Sequence, residues 1–371
     1  MGWNRTFRGG TTMTYAKIMI FALLSVLAMG LSACNGGTVT QGTIYTGGTN
    51  ALLFSFEDGA PPDLIYDNAQ TPFPIMLRVR NDGEFDTRNI RWRITGINVN
   101  DFQNLDTNGL HGPIIMGRTK LQDQVIEGSE DYIMLGSNVC YHRSLAGGGE
   151  LRDLSITAHM CYAYATLATA TVCIRENYLD GGDGCDPRES SSISVSGGPI
   201  TVTGFSQQAV GTNRLRLQFD VALRNNVRVW APYKDQTCSE GKDRSSRLAE
   251  QNQVYARIDT RGIGDVSCVT LRDAPSRPSG AHPFDGPYVL ENYPQDLLTA
   301  EAIRVMGLDL SDDGYFSLGS ENRASIICTL ELEGGLTDSL GTIDLALTYY
   351  LEDSVTAPLT ITHTGGPAGT C

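Results

Sequence analysis

The stretch RLRLQFDVAL, residues 214–223, decides the fold class. Leu215, Leu217, Phe219, Val221 and Leu223 alternate with Arg214, Arg216, Gln218 and Asp220. A period of two puts the two sets on opposite faces of an extended chain, so this is a strand with one buried and one wet face. Asn225-Asn226 closes it with turn chemistry. Upstream, SVSGGP at 194–199 reads as a linker, and Ile200 and Val202 open the preceding strand.

The same period recurs in both directions. Leu52, Phe54 and Phe56 share a face, and Phe73, Ile75, Leu77 and Val79 alternate with Met76, Arg78 and Arg80. Beyond the turn-forming Asn81-Asp82-Gly83, Ile90, Trp92 and Ile94 alternate with Arg91 and Arg93, which predicts a hairpin-like pair. Leu154, Ile156, Ala158, Met160, Tyr162 and Tyr164 keep one phase against Ser155, Thr157 and His159, predicting a long central strand that runs on through TLATATVC at 166–173. Val254, Ala256 and Ile258 resume the alternation. Further strands are expected at 324–332 and 342–350, and a last one carries Leu359 and Ile361. Residues 231–253 are polar; their KDRSSRLAEQ core suits one short helix in a surface excursion. The expectation is an all-β chain of tandem sandwiches, and the strands at 73–94 and 200–223 are similar enough to suggest internal duplication.

The N-terminus carries an address. KIMIFALLSVLAMGLSAC, residues 17–34, is a short apolar run behind Arg5, Arg8 and Lys17, and small residues before Cys34 form a lipobox with the thiol as lipid acceptor. An ordinary cleaved signal and an uncleaved anchor are the competing readings. The uncharged run of sixteen residues, 18–33, falls short of the roughly 20 that span a bilayer core. The expected organisation is a lipoprotein signal peptide at 1–33, a Gly/Thr-rich flexible tether at 34–50, one domain at 51–192 and another at 193–371. With Arg5, Arg8 and Lys17 removed and no acidic residue lost, formal charge moves from −14 to −17. So acidic a surface argues against nucleic-acid and anionic-lipid binding, because both need clustered Lys and Arg.

Nine cysteines become eight once Cys34 carries lipid. An even number in an exported chain fits four disulfides, and no Cys-x-x-Cys spacing supports a zinc site. Cys173 and Cys185 are expected to close the loop IRENYLDGGDG. Cys268 and Cys328 lie on expected strands and suit an inter-strand bridge, which leaves Cys140, Cys161, Cys238 and Cys371, with Cys238 to Cys371 as one guess.

The segment PIMLRVRNDGEFDTRNIRWRITGIN, 74–98, resembles the opening hairpin of CARDB-type immunoglobulin-like modules. Cys161-Tyr162-Ala163-Tyr164-Ala165-Thr166, with Val172-Cys173-Ile174, is similar to a pattern in uncharacterised secreted proteins of small-genome archaea. The resemblance covers about 73–361 and implies two tandem immunoglobulin-like β-sandwich domains at the cell envelope. It transfers no catalytic residue.

Chemistry-bearing motifs are sparse. The histidines His111, His142, His159, His282 and His363 sit in unrelated contexts, no Gly-x-Ser-x-Gly elbow occurs, and Gly147-Gly148-Gly149 lacks the context of a phosphate loop and reads as a turn. Asp309, Ser311 and Asp313, followed by Gly314, match the first half of a calcium loop; Ser320 then stands where a bidentate Glu belongs. Asp180-Gly181-Gly182-Asp183 is a second candidate for calcium against a plain turn. Otherwise no cofactor is expected. Trp230, Tyr233, Phe284 and Tyr288 are candidate exposed anchors in loops, where recognition surfaces concentrate. These features favour a lipid-anchored, non-enzymatic binding or structural module that touches the membrane through Cys34 and meets an envelope protein partner. A filament or adhesin subunit and a metal- or carboxylate-dependent hydrolase are the alternatives.

Overall fold

Two strands of unusual length organise the molecule. In the computed structural model, which describes residues 45–121, 124–145, 147–179, 185–188, 191–232, 238–272, 312–334 and 336–371, the first half contributes β1 (Leu52–Phe56), β2 (Leu64–Tyr66), β3 (Phe73–Asn81), β4 (Ile90–Thr95), β5 (Phe102–Gln103), β6 (Asn108–His111), β7 (Thr119–Leu121), β8 (Gln124–Ile126), β9 (Glu130–Tyr141) and β10 (Glu150–Ile174). The second contributes β11 (Ser192–Val195), β12 (Ile200–Ala209), β13 (Arg214–Leu223), β14 (Arg228–Trp230), β15 (Gln253–Asp259), β16 (Gly264–Cys268), β17 (Asp312–Ser317), β18 (Arg323–Leu332) and β19 (Ser339–Thr362), with one helix, α1 (Arg244–Glu250).

The long strands are β10 and β19, which pair antiparallel from Glu150↔Thr362 to Ile174↔Ser339 with one irregularity between Leu151 and Leu154. Strands usually run 3 to 10 residues; β10 has 25 and β19 has 24. Glycine and proline would interrupt such a ladder, and β10 contains neither. In β19, Pro358 sits at an exposed position. The separate final strand expected around Leu359 and Ile361 is the end of this same element. Its middle section, Ser354 to Pro358, keeps the period of two with small side chains and so carries a weaker signal.

A nine-stranded sheet is built on this pair in the order β17-β15-β19-β10-β4-β6, with β11, β14 and β2 attached along its length. Two four-stranded sheets, β1-β3-β9-β5 and β12-β13-β18-β16, share its core. Over the first half, Leu77 and Val79 of β3 meet Ile90 of β4 and Ile156, Ala158 and Met160 of β10, all fully buried. Over the second, Leu215, Leu217 and Phe219 of β13 do the same with Val254, Ala256 and Ile258 of β15 and Ile343, Leu345 and Leu347 of β19. Burying each of the larger of these side chains contributes about 1.5–3 kcal/mol.

The halves trace one path twice. Strands β1, β3, β4, β5, β6, β9 and β10 occupy the same places, in the same chain order, as β12, β13, β15, β16, β17, β18 and β19. A constant-type immunoglobulin sandwich pairs its strands ABED against CFG. Here the sixth strand replaces the fifth in the first sheet, so the architecture is shared and the strand order differs. Between the expected domains 51–192 and 193–371 lies a hydrogen-bonded seam, β10 against β19, and Tyr45–Cys371 forms one compact unit.

The hairpin expected from 73–94 is not one. β3 pairs with β1 and β9, and β4 with β10 and β6, so 82–89 carries the chain from one sheet to the facing one. Period two specifies which side chains are buried; it does not specify whether the next strand lies beside or opposite.

Candidate functional site

Cys34 lies outside the described residues, but the place where the chain after it joins the fold is defined. Residues 45–50, read from sequence as part of the spacer, are held. The Glu84 carboxylate accepts the backbone N–H groups of Thr46 at 2.7 Å and Gly47 at 2.9 Å, and also that of Gly197. Arg118 donates to the Gly47 carbonyl at 2.9 Å, Asn50 donates to Asp82 at 2.7 Å, and Asn225 donates to the Thr49 carbonyl at 2.6 Å. Charge-assisted bonds to backbone donors are among the stronger ones available, and three converge on Glu84.

This junction sits over the seam. The Tyr164 hydroxyl donates to the Gly197 carbonyl at 3.0 Å and accepts from Phe85 N–H at 3.3 Å. Burial pushes the Tyr164 phenol well above its ordinary range, so it stays a donor. A Cβ on Gly83 would stand 1.8 Å from that hydroxyl, which explains glycine after Asn81-Asp82. Asn81 is itself buried, donating to the carbonyls of Phe85 and Ile115. Beside them Asp86 accepts from Gly117 N–H at 2.7 Å; burial raises its carboxyl, and that bond offsets part of the effect. Gly117 and Arg118 lead directly into β7.

Trp230 is not exposed. At 1% accessibility it pairs across to Tyr350 in β19, its indole N–H donates to Glu352 at 3.0 Å, and the Ser239 hydroxyl donates to the other oxygen of the same carboxylate. Arg93 and Arg228 each approach that carboxylate at 3.9 Å. The polar excursion covers the indole: Cys238 is bonded to Cys161 of β10, Lys242 stands 5.9 Å over the ring while paired with Glu250, and Asp243 caps α1 by accepting from Ser246 N–H. Tyr233, Phe284 and Tyr288 lie outside the described residues.

Asp309 and Ser311 also lie outside the described residues. Asp313 falls in β17, where its backbone pairs with Arg257, and Gly314 with Ala256. From Asp312 onward the described part of the candidate loop is extended strand. Asp180 and 181–183 are undescribed. Among the described residues no group of three His, Cys, Asp or Glu side chains is placed to hold a metal ion. Gly147, Gly148 and Gly149 form a turn with positive φ at all three.

Eight cysteines form four disulfides: Cys140–Cys371, Cys161–Cys238, Cys173–Cys185 and Cys268–Cys328. The last two are those expected from spacing and strand placement. The guess of Cys238 with Cys371 is corrected, because β14 and the excursion deliver Cys238 to Cys161, while the tail after β19 returns to Cys140 at the end of β9. That tail is latched a second time: His363 Nδ1 lies 2.7 Å from Asp67, and Gly369 N–H donates to the Asn68 carbonyl. Burial alone would raise the Asp67 carboxyl; the Leu145 N–H bond and His363 outweigh it and hold it below the ordinary carboxylate value. Four disulfides indicate an oxidising, extracytoplasmic compartment. Among the described residues no helix is long and apolar enough to cross a membrane.

Neither a scan against protein-family models nor a search of curated proteins returns a match to this chain. Sequence reasoning missed the Glu84 clamp, the Asp67–His363 latch and an exposed apolar hairpin, β7–β8. The first two join residues far apart in sequence. The hairpin's signal, three apolar residues around a short polar turn, is too brief to separate from an ordinary loop.

Proposed function

We propose that the protein is a lipid-anchored envelope protein that acts as a non-enzymatic binding or structural module, held at the membrane by acylated Cys34 and presenting two immunoglobulin-like sandwiches of the CARDB type outward to a protein partner. The observation that carries this reading is cysteine parity. Eight of the nine cysteines are consumed in four disulfides, and the ninth is the residue that ends the lipobox. Conversion of Cys34→Ala is expected to move the protein from the membrane to the soluble fraction, with loss of the acyl mass from the N-terminal peptide. Retention of the variant in membranes would refute the anchor.

A filament or adhesin subunit is the second reading. It is supported by β12, a ten-residue strand that among the described residues has β13 on one side only and so offers an edge to a strand from a neighbour. Ladders of cross-linked copies on intact cells would favour it; a single envelope protein recovered in constant proportion would favour the binding module.

A further inference from the structure

Among the described residues the hairpin β7–β8 pairs only with itself, forming a separate two-stranded sheet. Such a ribbon is marginal in water unless something covers it. Its side chains are apolar and open: Leu121 is 63% exposed, Ile126 53% and Val125 48%, and Met116 at its base is 52% exposed. The register Thr119↔Ile126 and Leu121↔Gln124 puts Leu121 and Ile126 on one face.

What covers this hairpin follows from where the preceding chain arrives. Arg118, the residue before β7, donates to the Gly47 carbonyl at 2.9 Å, so the base of the hairpin and the first described residues of the chain are one place. Between Cys34 and Tyr45 lie eleven residue steps, at most about 40 Å when fully extended. A lipid on Cys34 therefore keeps this corner of the fold within reach of the bilayer, and the hairpin is an exposed apolar element at that corner. Arg118 and Lys120 are balanced in sequence by Asp123 and Glu127, so it is the apolar side chains, not charge, that suit this element to a bilayer.

Resting on the lipid-anchor reading, we infer that β7–β8 is a membrane-docking finger that lays Leu121 and Ile126 into the leaflet holding the Cys34 lipid. It supplies a second contact and so fixes the orientation of the sandwiches, where a lipid on a spacer alone fixes only their distance.

The test uses the lipidated full chain in phosphatidylcholine vesicles whose acyl chains are brominated. Ile126→Trp introduces an indole on the finger. The two tryptophans after Cys34, Trp92 and Trp230, are buried and contribute a steady background. Val210→Trp is the control: β12 starts two residues beyond Gly198, which donates to the Gly48 carbonyl, and its ten residues carry Val210 about 30 Å from the junction. Bromine quenching and a blue shift are expected for Ile126→Trp and not for Val210→Trp; in vesicles without bromine the quenching should vanish while the blue shift persists. Equal behaviour of the two indoles overturns the inference, as does an unquenched finger in a protein that dimerises with concentration, which assigns the hairpin to a second copy. Mass spectrometry of the same sample reads acylation of Cys34. An unquenched finger on an acylated protein defeats the docking contact alone, whereas an unacylated protein defeats the anchor reading and this inference with it.

Discussion

Glu352 is the residue whose removal tests the packing of the excursion most directly. Its carboxylate is 6% accessible and satisfies two buried donors, the Trp230 indole N–H and the Ser239 hydroxyl. Glu352→Ala leaves both unpaired. An unsatisfied buried donor costs about 1–3 kcal/mol, so the pair costs about 3–4 kcal/mol after partial relaxation of the serine. Unfolding entropy of about 2.1 cal/mol/K per residue, taken over the roughly 330 residues of Tyr45–Cys371, is about 0.7 kcal/mol/K. The expected fall in Tm is therefore about 4–6 °C by circular dichroism under non-reducing conditions. Glu352→Gln keeps an oxygen for the indole and an amide for the serine oxygen, and loses only the charge facing Arg93 and Arg228 at 3.9 Å; it should cost about 1 kcal/mol or less. In the double variant with Trp230→Phe the indole bond is counted once, so the combined loss is expected to be smaller than the sum. Equal effects of Ala and Gln, or an alanine variant within 1 °C of the parent with all four disulfides intact, would refute the assignment.

Two further outcomes are expected. Chain-entropy arguments rank the disulfides by the loop they close: 231 residues for Cys140–Cys371 against 12 for Cys173–Cys185, about 5 against about 3 kcal/mol. Replacing the first pair with serines should lower the urea midpoint more than replacing the second, and the reverse order would show that the tail bridge constrains the unfolded chain little. The tail latch should also respond to acid. The Asp67 carboxyl is depressed in the fold, so its contribution is present above the unfolded carboxylate value near 4 and is lost as pH falls through the lower folded value. The protection of amides 363–369, after correction for the intrinsic pH dependence of exchange, should fall over that acidic window; Asp67→Asn should remove the transition.

Much of the fold was legible because period two is a local property. The faces of β3, β4, β13 and the core phase of β10 follow from it, and so does the bridge between Cys268 and Cys328 on neighbouring strands. What was illegible required knowing which strands are partners. β3 and β4 show the same alternation whether paired or opposed, and only the sheet assignment separates a hairpin from a crossing between layers. The pairing of Cys161 with Cys238 depends on β14 lying against β19, through Arg228↔Glu352, which no spacing encodes. Trp230 was misread for the same reason: an indole before a polar run looks exposed until the run folds back over it. Glu84 carried no signal, since its three donors come from two distant segments.

The seam gives the anchor reading a mechanical consequence. Each half of the chain reaches its last strand at the centre of the shared sheet, so β10 of one and β19 of the other are hydrogen-bonded along almost their whole length. The chain from Cys34 attaches over the middle of that seam, through Glu84, Gly197 and the hydroxyl of Tyr164, and Tyr164 is itself paired with Tyr349 across the ladder. Beneath, Thr166 and Tyr349 hydroxyls bond at 2.8 Å, and Thr166 also donates to the Ile200 carbonyl at the start of β12. Force transmitted from a membrane-held N-terminus therefore reaches both halves at once, and neither can be peeled away without breaking the common ladder. Two sandwiches joined by a linker would pass such force through the first to the second; a fused pair shares it across one ladder.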